Sequence, residues 1–455
     1  MTRAAKLLMP IVTAAIVLIG TSGAAAATSS APGPGYGLTE VSEKSIPPRT
    51  VQLEFNTAAL SGTTPVTVLL PMNYSASKQR YPVLYLLDGC CNTYNTWIDQ
   101  EHTDALTQNL PLIVVMGAQG EVGLFTNWYN NGAFGRPEWE TYYIDQLMPW
   151  IDAHFRTTGA QRGRALAGMS MGGFGAMSLA AKHPDMFAGA ASFSGLVNVN
   201  DAGGWPLADL LPPADGGRPG DIFGPHATEA IREMGANPWN LATNLGGLTL
   251  VIRTGNGMPG GPLGYGSGIP GFDPIEANVA QQSLEFHNQL DALGIPNVYD
   301  DYGPGNHSAP YWQRDLQQTL PELMAALAHP RRPAAVTHTS IQPNYSFYGW
   351  TVDLTRPVLE FSTLKHATPR GFALSGSGSA TVTTPPAYLP GSRHMVTVTR
   401  GSATTSQVLK ATAGGRLRIE VVLGPANSYQ AATPQAQVVG THVYETSVAI
   451  GRARG

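Results

Sequence analysis

The residue whose setting most clearly predicts chemistry is Ser170, which lies between Gly168 and Gly172 in the order Gly-Met-Ser-Met-Gly. A short apolar run precedes it, and the helix-compatible run 174–182 follows. A serine on a sharp strand-to-helix turn needs neighbours without a β-carbon, because the backbone and the helix must close around it. The positive end of that helix would also favour an anion forming at the turn. The pattern predicts a nucleophilic serine; the alternative is a glycine-rich turn with a chance serine.

A serine hydroxyl is a weak nucleophile unless a histidine takes its proton and a carboxylate orients that histidine. In a strand–turn–helix setting of this kind, the expected chain order is serine, acid, histidine. His307 follows the last predicted strand in a loop and fits the base. Glu276 has the right place for the acid, but Asp273-Pro-Ile-Glu also has the form of a helix start, with Asp273 as the N-cap. Asp273 therefore stays as the rival acid, and Asp300 and Asp301 lie on the final predicted strand.

Nucleophilic attack on a carbonyl also requires donors for the oxyanion. The backbone N–H groups of Met171 and Cys90 are the expected donors, since one follows the serine and the other follows the third predicted strand. Cys90 and Cys91 are the only cysteines of the chain. In an exported protein they could pair and stiffen this loop; the alternative is two reduced thiols. Neither a metal ion nor a cofactor is expected.

The elements around these residues alternate between strands and helices. Buried or half-buried strands are predicted over 51–55, 66–70, 81–87, 112–116, 188–193, 248–252 and 297–302, and amphipathic helices over 138–155, 276–293 and 311–328. Such alternation predicts a mainly parallel sheet covered by helices on both faces. Together with the serine turn it indicates the α/β-hydrolase fold. The segment 205–238, rich in proline and glycine, is expected to be an irregular insertion or lid.

The length of 455 residues suits two domains. Arg3 and Lys6, the apolar run 7–19 and the small residues 25–27 are typical of a secretory signal peptide, although an uncleaved anchor is the alternative. We expect a secreted, extracellular protein. The predicted segments are a signal peptide (1–27), a linker (28–45), an α/β-hydrolase catalytic domain (46–330), a second linker (331–343) and an all-β sandwich domain (344–455).

The sandwich is predicted because the helical period disappears after residue 344 and short alternating runs recur between turn residues. Charge changes sign between the two halves. Residues 331–455 hold 12 Lys/Arg against 4 Asp/Glu, whereas residues 1–330 hold 15 against 27. The β domain could use this charge to dock on the catalytic domain or to contact an anionic cell envelope. A basic stripe with interleaved aromatic residues is missing from both halves, so no nucleic-acid partner is expected.

Several short motifs between residues 80 and 328 resemble the antigen 85 mycolyltransferases and the wider esterase D-like family of α/β hydrolases. They are Leu86-Leu-Asp-Gly, Tyr94-Asn-Thr-Trp, Thr126-Asn-Trp-Tyr, Trp139-Glu-Thr, the serine turn, Gly255-Asn-Gly and His307-Ser-Ala-Pro-Tyr-Trp. The resemblance implies a Ser–Glu–His triad. The family's glutamate precedes a helix with a phenylalanine ten residues further on, which matches Glu276 and Phe286. Asp88, Trp128 and Trp312 lie within the motifs and are expected to contact substrate.

The resemblance implies a secreted serine acyltransferase or esterase that forms an acyl-serine and passes the acyl chain, of mycolyl type in that family, to a sugar hydroxyl or to water. The expected substrate is an acyl ester of a glycolipid or envelope lipid. Two positions depart from the family. Its sugar-binding arginine has no counterpart, since residues 81–131 contain no Lys or Arg, and Ala309 replaces its tryptophan. The alternatives are a carboxylesterase acting on polysaccharide esters and a non-catalytic envelope-binding protein built on a hydrolase scaffold.

Overall fold

The computed structural model describes residues 35–160, 163–200 and 212–453. The predicted signal peptide, residues 28–34 of the first predicted linker and part of the predicted lid lie outside these residues. In the described part of that lid, His226–Met234 forms a helix.

Nine strands form one sheet in the order β1-β2-β3-β5-β4-β6-β7-β8-β9. They are β1 (Leu38–Ile46), β2 (Thr50–Thr57), β3 (Thr64–Leu69), β4 (Val83–Leu87), β5 (Ile113–Gly117), β6 (Arg164–Met169), β7 (Gly189–Phe193), β8 (Thr249–Thr254) and β9 (Val298–Asp301).

Strands β4 to β9 pair in parallel, whereas β1, β2 and β3 run antiparallel to their neighbours. Every residue of β4, β5 and β7 is buried, because helices cover both faces of the sheet's centre. That double burial explains why these strands are continuous apolar runs rather than alternating ones. The predicted α/β-hydrolase architecture is confirmed.

The helices of the catalytic domain vary widely in length. They are Thr96–Asp99, Thr103–Thr107, Trp139–Thr141, Met148–His154, Met171–Lys182, His226–Met234, Pro238–Leu241, Pro274–Ala292 and Ala309–Ala328, and a π turn (Tyr142–Leu147) joins the third to the fourth. Short 3₁₀ turns add Asn130–Gly132, Pro184–Met186, Pro212–Asp215 and Ala242–Leu245. Within the described ranges, each helix is too short or too polar to span a membrane.

Two segments expected to be linkers contribute strands instead. Strand β1 begins at Leu38, inside the predicted linker 28–45, and pairs with β2 along its whole length. It is an exposed edge strand, so backbone hydrogen bonds hold it and no apolar alternation marks it in the sequence. In the predicted linker 331–343, residues Val336–Ser340 form β10. The catalytic sheet therefore starts earlier than expected, and so does the β domain.

The β domain consists of two facing antiparallel sheets, as the sequence predicts. One has the order β10-β13-β14-β19-β16-β17 and the other β11-β12-β15-β18. Along β18, Ile419, Val421 and Leu423 point inward while the residues between them are exposed. The remaining strands are β11 (Asn344–Phe347), β12 (Trp350–Thr355), β13 (Ser362–Thr368), β14 (Gly371–Gly376), β15 (Gly378–Thr383), β16 (Arg393–Arg400), β17 (Ala403–Lys410), β18 (Arg418–Gly424) and β19 (Tyr444–Arg452), and a short helix spans Pro434–Val439.

Amide, hydroxyl and carboxylate groups join the two domains. The side chain of Asn244 donates to the carbonyl oxygen of Thr339 (2.9 Å) and accepts from its N–H (2.7 Å). Tyr348 donates its backbone N–H to Asp185 (2.8 Å) and its hydroxyl to the carbonyl oxygen of Pro184 (3.1 Å). Every ion pair between described residues stays within one domain. Opposite net charges therefore do not supply the contacts between the domains that the structure describes.

Glu101 makes the stability of the fold depend on pH. Its side chain is buried, and burial raises its pKa to about 8, with a smaller contribution from Asp99. Between its ordinary pKa and about 8, the folded protein holds a proton that the unfolded chain releases. The free energy of unfolding should therefore fall as pH rises through this window. We expect Glu101→Gln to flatten the fall in melting temperature between pH 5 and pH 8. Glu43→Gln, at an exposed position of β1, should keep the wild-type slope; equal slopes in all three proteins would contradict this account.

Candidate active site

Ser170 lies at the sharp turn between β6 and the helix Met171–Lys182, with φ of 54° and ψ of −119°. This left-handed φ is unusual for a residue with a side chain. A Cβ added at Gly168 would collide with the carbonyl oxygen of Gly172, and one added at Gly172 would collide with that of Leu87. Both glycines are therefore required by close backbone packing, and the turn presents the serine hydroxyl at the carboxyl edge of the sheet.

His307 contacts that hydroxyl directly. Its Nε2 lies 2.8 Å from Ser170 Oγ, and its ring packs edge to face against Trp312 with centroids 5.0 Å apart. The imidazole belongs to the loop between β9 and the helix Ala309–Ala328, and only 12% of its side chain is exposed. The base predicted from chain order and the serine are thus within one hydrogen bond of each other.

Glu276 is the carboxylate that contacts the imidazole. Its Oε2 lies 2.8 Å from His307 Nδ1, while Oε1 accepts hydrogen bonds from Ser194 Oγ (2.8 Å) and from the backbone N–H of Gly255 (2.7 Å). The side chain is fully buried. When Nδ1 donates to this carboxylate, Nε2 is left to accept the proton of the serine hydroxyl. The arrangement can therefore raise the nucleophilicity of Ser170.

Asp273, the rival acid, has a different place. Its Oδ1 accepts from the backbone N–H groups of Ile275 (3.0 Å) and Glu276 (3.2 Å), which makes it the N-cap of the helix Pro274–Ala292. Its Oδ2 accepts from the backbone N–H of His307 (2.9 Å). Asp273 therefore holds the peptide of the histidine rather than its imidazole.

The two aspartates of the last strand also have other partners. Asp300 forms ion pairs with Arg253 (2.6 Å) and Arg314 (3.1 Å). Asp301 accepts the backbone N–H of Gly303 (2.9 Å). Of the four candidate acids, only Glu276 forms a hydrogen bond with the imidazole.

The loop expected to hold the oxyanion passes beside the serine. A Cβ added at Gly89 would lie 3.2 Å from Ser170 Cβ. Gln119 Nε2 donates to the carbonyl oxygens of Asp88 (2.8 Å) and Gly89 (2.9 Å), and these two hydrogen bonds hold the loop in place. Cys90 and Cys91 form a disulfide at its tip. Cys90 thus follows directly on the residue that packs against the serine.

The second expected donor, Met171, is the first residue of the helix after Ser170. Its N–H has no acceptor within the helix, since the first four N–H groups of any helix lack one. The two predicted donor residues therefore lie on the two segments that flank Ser170.

The three residues expected to contact substrate, Asp88, Trp128 and Trp312, lie in different surroundings. Trp312 packs against His307, whereas Trp128 is buried and donates its indole N–H to the carbonyl oxygen of Gly123 (3.3 Å). Trp128 lines a cavity of about 430 Å³ whose walls include Gln342 of the β domain and neither Ser170 nor His307. Asp88 is 1% exposed, and burial raises its pKa well above the usual range. The structure brings Trp312 to the imidazole and does not bring Trp128 there.

Sequence reasoning assigned no role to the residues that hold Glu276 and the loop after β4. Ser194 follows β7 directly, Gly255 follows β8, and Gln119 lies two residues beyond β5. The signal that could have found them is positional, because residues just past the carboxyl ends of parallel strands meet at one edge of the sheet. Ser194 and Gln119 belong to no motif, and Gly255 belongs to the Gly255-Asn-Gly motif, which by itself assigns it no role.

The mainly parallel sheet, the strained serine turn and the imidazole–carboxylate pair define the α/β-hydrolase fold. The family model described as "Putative esterase" matches residues 57–323, which is more than half of the chain. The chain therefore belongs to this esterase family.

Several individual proteins are similar to the chain. Esterase Rv1288 of Mycobacterium tuberculosis is 34% identical over 283 residues, 60% of this chain and 59% of the relative. The chain thus spans well under two thirds of that protein. Diacylglycerol acyltransferase/mycolyltransferase Ag85B of Mycolicibacterium smegmatis is 31% identical over 54% of this chain and 77% of its own length. The crystal structure of Mycobacterium tuberculosis MPT51 (FbpC1) superposes with a TM-score of 0.51 at 20% identity, covering 63% of this chain and 99% of that one, and it supports the fold.

The packing of the serine turn leads to a stability prediction. We expect Gly168→Ala to lower the melting temperature sharply or to prevent folding, because the added methyl group meets backbone rather than a movable side chain. Gly246→Ala is the matched control: its φ is ordinary, and the nearest atom to an added Cβ is 3.9 Å away. Thermal unfolding of the purified variants measures both. A Gly168→Ala protein as stable as the control would contradict the packing described here.

Proposed function

We propose that the protein is a serine-dependent carboxylic ester hydrolase or acyltransferase that works through an acyl-serine at Ser170. The observation that carries this proposal is the continuous hydrogen-bonded chain from Ser170 Oγ to His307 Nε2 (2.8 Å) and from His307 Nδ1 to Glu276 Oε2 (2.8 Å). These distances suit proton transfer in each direction. A non-catalytic binding protein would have no use for a buried carboxylate aimed at an imidazole.

In the first half of the proposed reaction, Ser170 Oγ attacks the ester carbonyl carbon and its proton passes to His307 Nε2. Glu276 stabilises the imidazolium, and the N–H groups of Met171 and Cys90 donate to the oxyanion. The tetrahedral intermediate then collapses. The bond to the alkoxy oxygen breaks, that oxygen takes the proton from His307, and an acyl-serine remains. In the second half, water or a sugar hydroxyl gives its proton to His307 and attacks the acyl carbon. The bond between that carbon and Ser170 Oγ then breaks, Oγ takes the proton back from His307, and a free acid or a new ester leaves.

For the substrate, we propose an acyl ester of a glycolipid or envelope lipid. The support comes from the names of the relatives, an esterase and a diacylglycerol acyltransferase/mycolyltransferase. We further propose secretion through residues 1–27 and contact of the basic β domain with an anionic cell envelope. The support for envelope contact is the positive charge of residues 331–455, which contain 12 Lys/Arg and 4 Asp/Glu.

The proposed roles predict a graded loss of activity. Ser170→Ala should lower turnover of p-nitrophenyl butyrate about a millionfold, since the nucleophile is gone. Glu276→Gln should lower it about ten-thousandfold, because the imidazole loses the anion that orients it and stabilises its charged form. Ser61→Ala, at an exposed position, is the matched control and should retain full activity. Hydrolysis of p-nitrophenyl butyrate that persists in Ser170→Ala would contradict the catalytic proposal.

The choice of acceptor can be predicted from the loop after β4. Residues 81–131 contain no Lys or Arg to bind a sugar, and a hydrogen bond to a charged group typically contributes about 1.5–3 kcal/mol. We therefore expect hydrolysis to exceed acyl transfer when trehalose is added to the p-nitrophenyl butyrate assay. Mass spectrometry of the products gives the ratio of free acid to acyl-trehalose. Acyl-trehalose as the main product would show that another part of the site binds the sugar.

A further inference from the structure

The segment between β8 and the helix that carries Glu276 has an unusual composition. Between Arg253 and Asp273 it contains no charged residue. Large apolar side chains of this segment and of the adjoining first helical turn are nevertheless exposed: Met258 50%, Leu263 42%, Tyr265 36%, Ile269 40%, Phe272 55% and Ile275 50%. We name residues 256–275 the apolar loop. Single exposed apolar residues are ordinary on protein surfaces, but a concentration within one loop typically marks an interaction site.

The apolar loop contacts the chain on both sides of His307. Gly257 donates its N–H to the carbonyl oxygen of Gly305 (3.0 Å), and Asn306 Nδ2 donates to the carbonyl oxygen of Tyr265 (3.0 Å). Further along, a Cβ added at Gly266 would lie 2.7 Å from Pro310 Cδ. Near the end of the loop, the carboxylate of Asp273 accepts a hydrogen bond from the N–H of His307 (2.9 Å). Its exposed side chains therefore lie on a segment packed directly against the loop that holds the catalytic imidazole.

The absence of exposed charge on the apolar loop favours a lipid surface over a protein as its partner. A protein partner would typically match a polar rim around an apolar centre, whereas the only charged residue of the apolar loop is Asp273, which is buried. Entering the boundary of a lipid aggregate costs such a loop no desolvation of charge, and each buried apolar side chain contributes favourably. Tyr265 is of the type enriched at lipid–water boundaries, and Phe272 is of the type found on the apolar face of interfacial segments. An ester embedded in that aggregate would then face Ser170.

We propose that the apolar loop docks the protein on the surface of a lipid aggregate and so presents aggregated ester substrates to Ser170. This proposal rests on the proposed ester chemistry, but it concerns a surface that the chemistry itself does not require. Hydrolysis of a soluble, monomeric ester should not depend on the loop. Hydrolysis of an ester held in vesicles should.

The test compares two double variants of the full chain. Phe272→Ser with Ile275→Ser changes the apolar loop, and Leu389→Ser with Val438→Ser changes two still more exposed apolar positions of the β domain, 76% and 88% exposed. Flotation with zwitterionic phosphatidylcholine vesicles measures binding without attraction from the basic β domain. We expect the loop variant to lose roughly tenfold or more of its vesicle binding. It should lose a similar factor in hydrolysis of a diacylglycerol carried in the vesicles. Turnover of soluble p-nitrophenyl butyrate should stay unchanged, and the control variant should behave as wild type.

Several results would overturn the proposal. They are wild-type protein that does not float with the vesicles, a loop variant that binds as wild type does, or equal losses in both variants. A change from dimer to monomer in the loop variant alone would identify the loop as a self-association surface instead. Met258→Ser with Leu263→Ser provides a second pair on the same loop if the first lowers the melting temperature. Failure of the ester chemistry would be seen separately, as soluble-ester hydrolysis that survives Ser170→Ala.

Discussion

Two carboxylates at the start of one helix hold His307, and the rest of the site depends on this arrangement. Asp273 binds the backbone N–H of the histidine and Glu276 binds its imidazole, three positions apart on the same N-terminus. The capping geometry that starts the helix Pro274–Ala292 is therefore also the geometry that aims the imidazole at Ser170. From the sequence, a helix start and a catalytic acid were alternative interpretations of Asp273-Pro-Ile-Glu. In the structure the segment is both.

A fully buried carboxylate is costly unless hydrogen bonds surround it. Glu276 receives them from Ser194, Thr254 and Gly255, at the ends of the neighbouring strands β7 and β8. The parallel sheet thus does more than carry the serine turn. It delivers the donors that keep an anion stable in the interior, and it does so because parallel strands end at a common edge. The same edge brings the loop after β4, with its disulfide, beside Ser170.

Much of this could be predicted from the sequence, for physical reasons that differ by element. The buried strands, the serine turn and His307 carry strong local signals, because close packing and strained backbone restrict the residues allowed there. Strand β1 was missed, since an exposed edge strand is held by backbone hydrogen bonds that any polar residue can make. Trp128 was expected at the substrate, but an aromatic side chain in a motif can equally fill the core. The choice between Asp273 and Glu276 required either the family resemblance or coordinates, since both residues suit a helix start.

The joint between the domains has a consequence for the β sandwich. Asn244 is buried, and its amide bonds the backbone of Thr339 at both the N–H and the carbonyl, while also donating to the carbonyl oxygen of Ala181 at the end of the helix that Ser170 begins. Swivelling the sandwich at this joint would break two buried hydrogen bonds and strand their polar groups, at about 1–3 kcal/mol for each unsatisfied group. The β sandwich is therefore held in a fixed orientation relative to the catalytic domain. A ligand bound to the sandwich would lie at a fixed distance and direction from Ser170.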